Sequence, residues 1–240
     1  MTAQSFETMG TVVSLRADAG ADVLQVVRRV FDDADHRFSL YRADSELSGI
    51  RDGTMRLADA GEELRKMYAL AIDWRIATDG AFTPHRPDGV IDLDGIVKAW
   101  AMDRAVRELS GDWCLNVGGD VLVAGEQPDG TPWTVGIVDP FDRNALVASF
   151  VLDASRRAAA TSGTSERGEH IWMSSVPEFV QVTVLAGDIL TADVLATAIM
   201  SGGSAALDAM TDRFGVEVLA VTRAGELLAT PSLRVAPLAG

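Results

Sequence analysis

"WCLNVGGDVLVAG", residues 113–125, is the stretch on which the fold turns. Trp113, Leu115 and Val117 alternate with other residues, Gly118 and Gly119 interrupt them, and a second apolar run follows at once. That texture reads as a strand, a glycine turn and another strand. Upstream the period is helical. "ADVLQVVRRVFDDADHRF" (21–38) carries apolar residues at helical spacing, and "DAGEELRKMYALAIDWRIATDG" (59–80) predicts a helix capped by Asp59 and stopped by Gly80. "DGIVKAWAMDRAVRELSG" (94–111) predicts a third, ended by Gly111. Downstream come short β-rich runs, "WTVGIV", "LVASFVL" and "EFVQVTVLAG", punctuated by glycine, proline and aspartate. A helix over 191–200, another near 203–213, and the strands "VEVLAVT" and "ELLAT" close the chain. Near the N-terminus "TVVSLRA" (11–17) reads as a strand that "MGT" (9–11) begins. Helices and antiparallel-looking strands are segregated rather than alternating, which predicts an α+β fold with mixed or antiparallel sheets flanked by helices. With no repeat, low-complexity tract or linker, residues 1–240 are expected to form one domain.

Composition narrows the function. The 35 acidic residues outnumber the 21 basic ones for a formal charge of −14. That balance repels nucleic acid and anionic membrane surfaces, and no basic cluster offsets it, so nucleic-acid binding is not expected. The excess acid is compatible with collecting Mg²⁺. No run of about eighteen apolar residues predicts a membrane span. "MTAQSFETMGTVVSL" shows no secretory signal, which gives a cytoplasmic expectation for the chain as it stands, or an extracytoplasmic one if a leader has been removed. Cys114 is the sole cysteine, excluding an intrachain disulfide and a multi-cysteine zinc site, and its apolar neighbours favour a core thiol.

Several polar stretches are out of character for a pure core. "RFSLYRADSELSGI" places Tyr41 and Arg42 before a helix start at Ser45–Glu46. "DGAFTP" (79–84) precedes "IDLDGIVKAW", where Asp92, Asp94, Gly95 and Lys98 crowd one helix entrance. "TSGTSERGEHIW" (161–172) joins a small-residue turn to His170. In "TADVLATAIM" (191–200), Asp193 and Thr197 are four residues apart on one helix face. Each has an ordinary alternative. Tyr41 can be a core residue with a wet hydroxyl, Asp92 a helix cap, and His170 a half-buried structural residue. Thr191 can cap a helix that Asp193 favours electrostatically, with Thr197 bonding back to a carbonyl.

Taken together and in order, these stretches resemble the ApbE family, the FAD:protein FMN transferases, from near Met9 to about Gly203. The resemblance is carried by "ETMGTVVSL", "FSLYRADSELSGI", "DGAFTP", "IDLDGIVKAWAMD", "LNVGGDVLVAG", "WTVGIVDP", "ATSGTSERGEHI" and "TADVLATAIMSGG". It implies an FAD-binding α+β fold and an enzyme that uses Mg²⁺ to split the FAD pyrophosphate. FMN moves to a Thr or Ser hydroxyl of a target redox protein, and AMP leaves. An FAD pyrophosphatase giving FMN and AMP, and an FAD-binding protein without transfer, are the other outcomes that the resemblance leaves open.

The resemblance also assigns residues. Asp193 and Thr197, with a backbone carbonyl that falls on Gly95, match its metal ligands, and hard oxygen donors suit Mg²⁺. Met9, Tyr41, the segment Ala81–Phe82–Thr83, Asp92, Lys98 and Ile171 beside His170 match FAD contacts. His170 matches the histidine required for transfer, and a base titrating near neutrality suits removal of a hydroxyl proton. The chain departs from the family at Thr83 (usually aspartate), at Asp94 and Ala99 (usually glycine), and in "HIWMSSVPEF", where an acidic–proline pair is usual.

Overall fold

The computed structural model describes residues 1–18, 21–163 and 177–233. Strands β1 (Thr2–Thr8) and β2 (Thr11–Ala17) form a hairpin whose register pairs Thr8 with Thr11. Its two turn residues, Met9 and Gly10, both have positive φ, 49° and 68°. This is the backbone twist that a two-residue hairpin turn favours. "MGT" therefore closes a hairpin rather than opening the first strand, and β1 ahead of it is an element that the sequence reading lacks.

Four helices follow before the chain returns to the sheet. Helix α1 (Ala21–Phe38) has the predicted limits, and α2 (Glu46–Arg51) starts on Ser45, whose Oγ accepts the Ser48 N–H at 2.9 Å. Helix α3 (Glu62–Ala77) opens from Gly61, not from Asp59. Asp59 instead belongs to a short 3₁₀ turn and pairs with Arg56 at 2.7 Å, and the extended backbone of Ala60 separates that turn from the helix. The stop is as predicted: Gly80 (φ 83°) donates its N–H to the Arg75 carbonyl at 2.8 Å. Helix α4 (Asp94–Ala105) passes into a 3₁₀ turn at Val106–Glu108, so it ends before Gly111. It packs on α1 through Trp100 and Phe38, edge to face at 5.5 Å.

The remaining strands are β3 (Trp113–Val117), β4 (Asp120–Ala124), β5 (Thr134–Val138), β6 (Leu146–Val151), β7 (Ala158–Gly163), β8 (Phe179–Ala186), β9 (Glu217–Thr222) and β10 (Leu227–Ala229). Helix α5 (Ile189–Phe214) lies between β8 and β9. Eight strands form one sheet in the order β1-β2-β3-β4-β7-β8-β9-β10, with every neighbouring pair antiparallel. The other two form the separate β5–β6 pair. Each excursion leaves the sheet and comes back beside the strand it left: α1–α4 between β2 and β3, the β5–β6 pair between β4 and β7, and α5 between β8 and β9.

The central strands are covered on both faces, and side-chain alternation assigns each face. Leu122, Ala158, Ala160, Val182, Val184, Val218 and Ala220 join α1, α4 and α5 in the main core. Val121, Val123, Ala159, Leu185 and Leu219 point the other way, into a second core with Trp133, Val135 and Ile137. This explains why "VLVA" is apolar throughout, and "VTVLA" apolar but for the buried Thr183, rather than alternating. The sequence reading places a small-residue turn at Thr161, yet Thr161, Ser162 and Gly163 belong to β7 and pair with Thr183, Val182 and Gln181. Alanine and glycine have little intrinsic strand preference, so packing decides here, with small side chains letting α5 approach the sheet closely.

Helix α5 opens on Asp188, whose carboxylate accepts the Thr191 N–H at 2.8 Å, so Thr191 is not the cap. The two expected helices, 191–200 and 203–213, are one element kinked at Gly203 (φ 65°, ψ −154°). After the kink Glu178 accepts the Ser204 N–H at 2.8 Å and restarts the ladder. By length and composition α5 is long and apolar enough to cross a membrane, but half of its apolar window is buried inside the protein. Its apolarity serves the core between α4 and the sheet.

Candidate functional site

A cavity of about 520 Å³ opens where two hairpin turns meet the first turn of α4. Its walls include Met9, Thr11, Tyr41, Asp94, Lys98 and Thr161. The volume is within the range usual for small-molecule sites. Glycine makes the walls possible. Gly118, in the β3–β4 turn, has φ 59°, and a Cβ there would stand 2.5 Å from Thr11 Oγ1. The Gly118 N–H reaches the Val12 carbonyl at 3.1 Å, locking the two turns together.

Lys98, on the cavity wall, is backed by two buried acids. The Lys98 ammonium forms a close ion pair with Asp120 Oδ2 and stands 3.9 Å from Asp193 Oδ1. Both carboxylates are buried, Asp120 at 1% and Asp193 at 0% exposure. The second oxygen of Asp120 accepts the Thr161 N–H at 3.0 Å, so one aspartate ties α4, β4 and β7 together. Buried acids are costly unless they meet opposite charge and donors, and a cationic neighbour meets that need.

One turn along α5, Thr197 Oγ1 lies 3.3 Å from Ser162 Oγ on β7. Gly95 faces the same threonine: a Cβ at Gly95 would come 3.9 Å from Thr197 Cγ2 and 3.1 Å from the Phe82 ring. Gly95, Asp193 and Thr197 thus converge from two helices beside Lys98. Among the described residues no group of three His, Cys, Asp or Glu side chains forms a metal cluster. Of Gly95, Asp193 and Thr197, Asp193 alone carries such a side chain.

At the rim Tyr41 is 70% exposed. Its phenol is pushed above its ordinary value by partial desolvation and then by Asp94 and Asp92, with Arg86 opposing. It therefore stays protonated at neutral pH and keeps an O–H to donate. Asp92 Oδ1 accepts the Asp94 N–H at 3.0 Å in an Asx turn at the entrance of α4, but the N-cap is Leu93, without a side-chain cap, so Asp92 is not the cap that its ordinary alternative predicts.

Of the residues singled out in the sequence, Met9, Tyr41 and Lys98 line the cavity. Phe82 does not: at 3% exposure it packs in the core against Gly95. Ala81 offers its carbonyl to Ser201 Oγ, and the exposed Thr83 accepts the His85 N–H at 3.3 Å. Asp92 lies at the helix entrance rather than on the lining. His170 and Ile171 lie outside the described residues. Asp120 was missed, although it stands in the quoted "NVGGDV"; a lone acid opening an apolar strand was the available signal. Cys114 fits the core-thiol reading, since burial pushes its thiol up to about 11.

Comparison with known proteins gives a consistent picture. The model of the ApbE family matches residues 9–86 and 85–220. The FAD:protein FMN transferase of Escherichia coli K12 is 27% identical over 161 residues, covering 60% of this chain and 46% of that protein. The protein of the same name from Salmonella typhimurium is 27% identical over 157 residues, covering 58% and 45%. The chain thus spans about half the length of these curated relatives. Among solved structures, an ApbE protein from Thermotoga maritima superposes with a TM-score of 0.80 at 20% identity, covering 96% of this chain and 97% of that one. The flavin transferase ApbE of Vibrio cholerae gives 0.75 at 22% identity, covering 97% and 98%. The α+β architecture is shared with these structures.

Proposed function

The chain belongs to the ApbE family, and from that premise we propose that it transfers FMN from FAD to a Thr or Ser hydroxyl of a redox protein, releasing AMP. The observation that carries this reading is Lys98 on the wall of a cavity wide enough for part of a dinucleotide, with the buried carboxylates of Asp120 and Asp193 behind it. Met9 offers an adaptable apolar surface and Tyr41 a flat one for rings. Lys98 brings a cation towards the phosphates while anchored behind by Asp120.

The residues also fit a bound Mg²⁺. A buried carboxylate at Asp193, the Thr197 hydroxyl and the Gly95 carbonyl form a hard oxygen set of the kind that Mg²⁺ accepts. When bound, the ion supplies positive charge at the pyrophosphate. The acceptor hydroxyl oxygen forms a bond to the FMN-side phosphorus as the bond to the AMP phosphate breaks. Its proton goes to a base, and His170 takes that role by its match to the family motif.

Incubation with FAD and Mg²⁺, with and without candidate acceptor proteins, tests the proposal. AMP formed together with covalently flavinylated acceptor is the expected result. AMP formed equally without acceptor indicates a pyrophosphatase, and FAD binding without AMP indicates a binding module.

A further inference from the structure

Among the described residues, each basic side chain on the cavity wall is already met by acid. Lys98 pairs closely with Asp120 and stands 3.9 Å from Asp193 Oδ1. Arg42 lies 3.2 Å from Asp44 Oδ2 and 3.6 Å from Asp35 Oδ2. Arg86, whose charge reaches Tyr41 at the rim, stands 3.5 Å from Asp88. The wall also carries Asp94, the first residue of α4, which shares a helix face with Lys98 one turn on. A helix N-terminus ordinarily attracts phosphate. Here the Asp94 carboxylate offsets the positive helix end, and Asp92 Oδ1 takes the Asp94 N–H at 3.0 Å. The charge of Asp94 is felt across the mouth, where it helps to hold the Tyr41 phenol above its ordinary value. We propose that Asp94 makes FAD binding conditional on a divalent cation: its carboxylate closes the entrance of α4 to the pyrophosphate, which is then held only where metal charge joins Lys98. Asp94 is thus a specificity-determining residue, and the inference rests on the FAD reading given above.

The chemistry follows from charge. The FAD pyrophosphate is anionic, and like charges repel more strongly in a partly desolvated cavity than in water. Lys98 and Arg42 offset little of that repulsion, because their own acids already oppose them. A divalent cation on the oxygens of Gly95, Asp193 and Thr197 would add its charge next to Asp94 in sequence and offset the repulsion there. The acid therefore separates two states: the metal-loaded site takes FAD, and the metal-free site rejects it. Riboflavin, which has the flavin ring but no phosphate, escapes the discrimination.

Asp94→Asn is the discriminating variant, because it removes the charge and keeps the shape. Equilibrium dialysis of FAD and of riboflavin, each in a chelator and in Mg²⁺, reads binding without relying on turnover. Wild type is expected to bind FAD far more tightly in Mg²⁺ than in chelator. Asp94→Asn should bind FAD about tenfold more tightly than wild type in chelator, a usual size for coupling between neighbouring charges. In Mg²⁺ it should stay within about threefold of wild type, so that its dependence on the cation shrinks. Riboflavin binding should respond neither to the substitution nor to Mg²⁺. A gain in chelator for FAD alone is an effect that a merely structural role for Asp94 would not produce. Unchanged or weaker FAD binding by folded Asp94→Asn in chelator, an equal gain for riboflavin, or a wild type indifferent to Mg²⁺ would overturn the inference and leave the FAD reading intact. Weaker binding of FAD by the variant in Mg²⁺, beyond that threefold margin, would also overturn it, since Asp94 would then hold the complex together. Wild type that binds no FAD even with Mg²⁺ would overturn the FAD reading itself. Asp94→Ser removes the same charge and decides by the same criteria if Asp94→Asn does not fold.

Discussion

Gly118 shows how much a single residue fixes at this site. Its φ of 59° and the 2.5 Å approach to Thr11 Oγ1 leave no room for a side chain. Gly118→Ala is therefore expected to lose about 1–3 kcal/mol, the usual cost of forcing a side chain into sparsely populated backbone space, measured by denaturant unfolding. FAD affinity should fall with it, because the same turn forms a wall of the cavity; unchanged stability and affinity would show that the two turns are not locked as described. His170 is the second residue with a sharp expectation. A lost general base typically reduces rate by about 10²–10⁴-fold, so His170→Ala should lose transfer on that scale in acceptor-flavinylation kinetics, with FAD affinity little changed. Equal transfer rates would require another base. At this scale the sequence was most legible where a motif names the residue directly, as for Met9, Tyr41 and Lys98. It was least legible for Asp120, whose importance comes from a partner 22 positions away on another element, a relation that no local pattern encodes.

At the scale of elements, α5 connects the sheet to the site, and its kink divides the two tasks. Asp193 and Thr197 precede Gly203, and the amphipathic remainder follows it. The backbone of Gly203 (φ 65°, ψ −154°) is open in practice only to glycine, and a Cβ there would meet Glu178 Oε2 at 2.6 Å. Gly203→Ala should cost about 1–3 kcal/mol by the same argument, visible as a lowered denaturation midpoint; a neutral result would mean that α5 can run straight. Glu178 adds a pH signature. Its carboxyl is held below the ordinary glutamate value by the Ser204 hydroxyl first and the Ser204 N–H second. A depressed folded-state value stabilises above the unfolded-state pKa and is lost as pH falls through the folded-state one. The stability gap between wild type and Glu178→Gln should thus be present at neutral pH and close on acidification, read from denaturant midpoints across pH. Element limits were legible wherever the helical period was strong, as for α1, and wherever apolar runs were long, as for β8 and β9. The signal failed at β7, where "AAATSG" has the composition of a turn and is a strand because two layers press on it. It also failed at Asp59, where a good capping residue was overruled by the extended backbone that follows.

For the whole molecule, three excursions from one antiparallel sheet bring remote segments to a common edge. The β1–β2 turn, the start of α4, the β3–β4 turn, β7 and the first half of α5 meet around Lys98 although they span most of the chain. This closure explains why separate motifs, each with an ordinary structural alternative, gained meaning from their order. Their joint geometry could not be read from the sequence, since strand order and the two-sided burial of the sheet depend on contacts between distant residues. The net charge of −14 works against an anionic dinucleotide, and the divalent cation proposed at Asp193 would offset that repulsion locally. The central claim is that FAD is split at Asp193 with a divalent cation in place. Its most direct test is AMP release from FAD across a Mg²⁺ titration, comparing wild type with Asp193→Ala in the presence of an acceptor protein. The account predicts release by wild type that rises with Mg²⁺ and is abolished by a chelator, and no Mg²⁺-stimulated release by a folded Asp193→Ala protein. Full Mg²⁺-stimulated release by Asp193→Ala would contradict it and return Asp193 to a helix residue with no part in the chemistry.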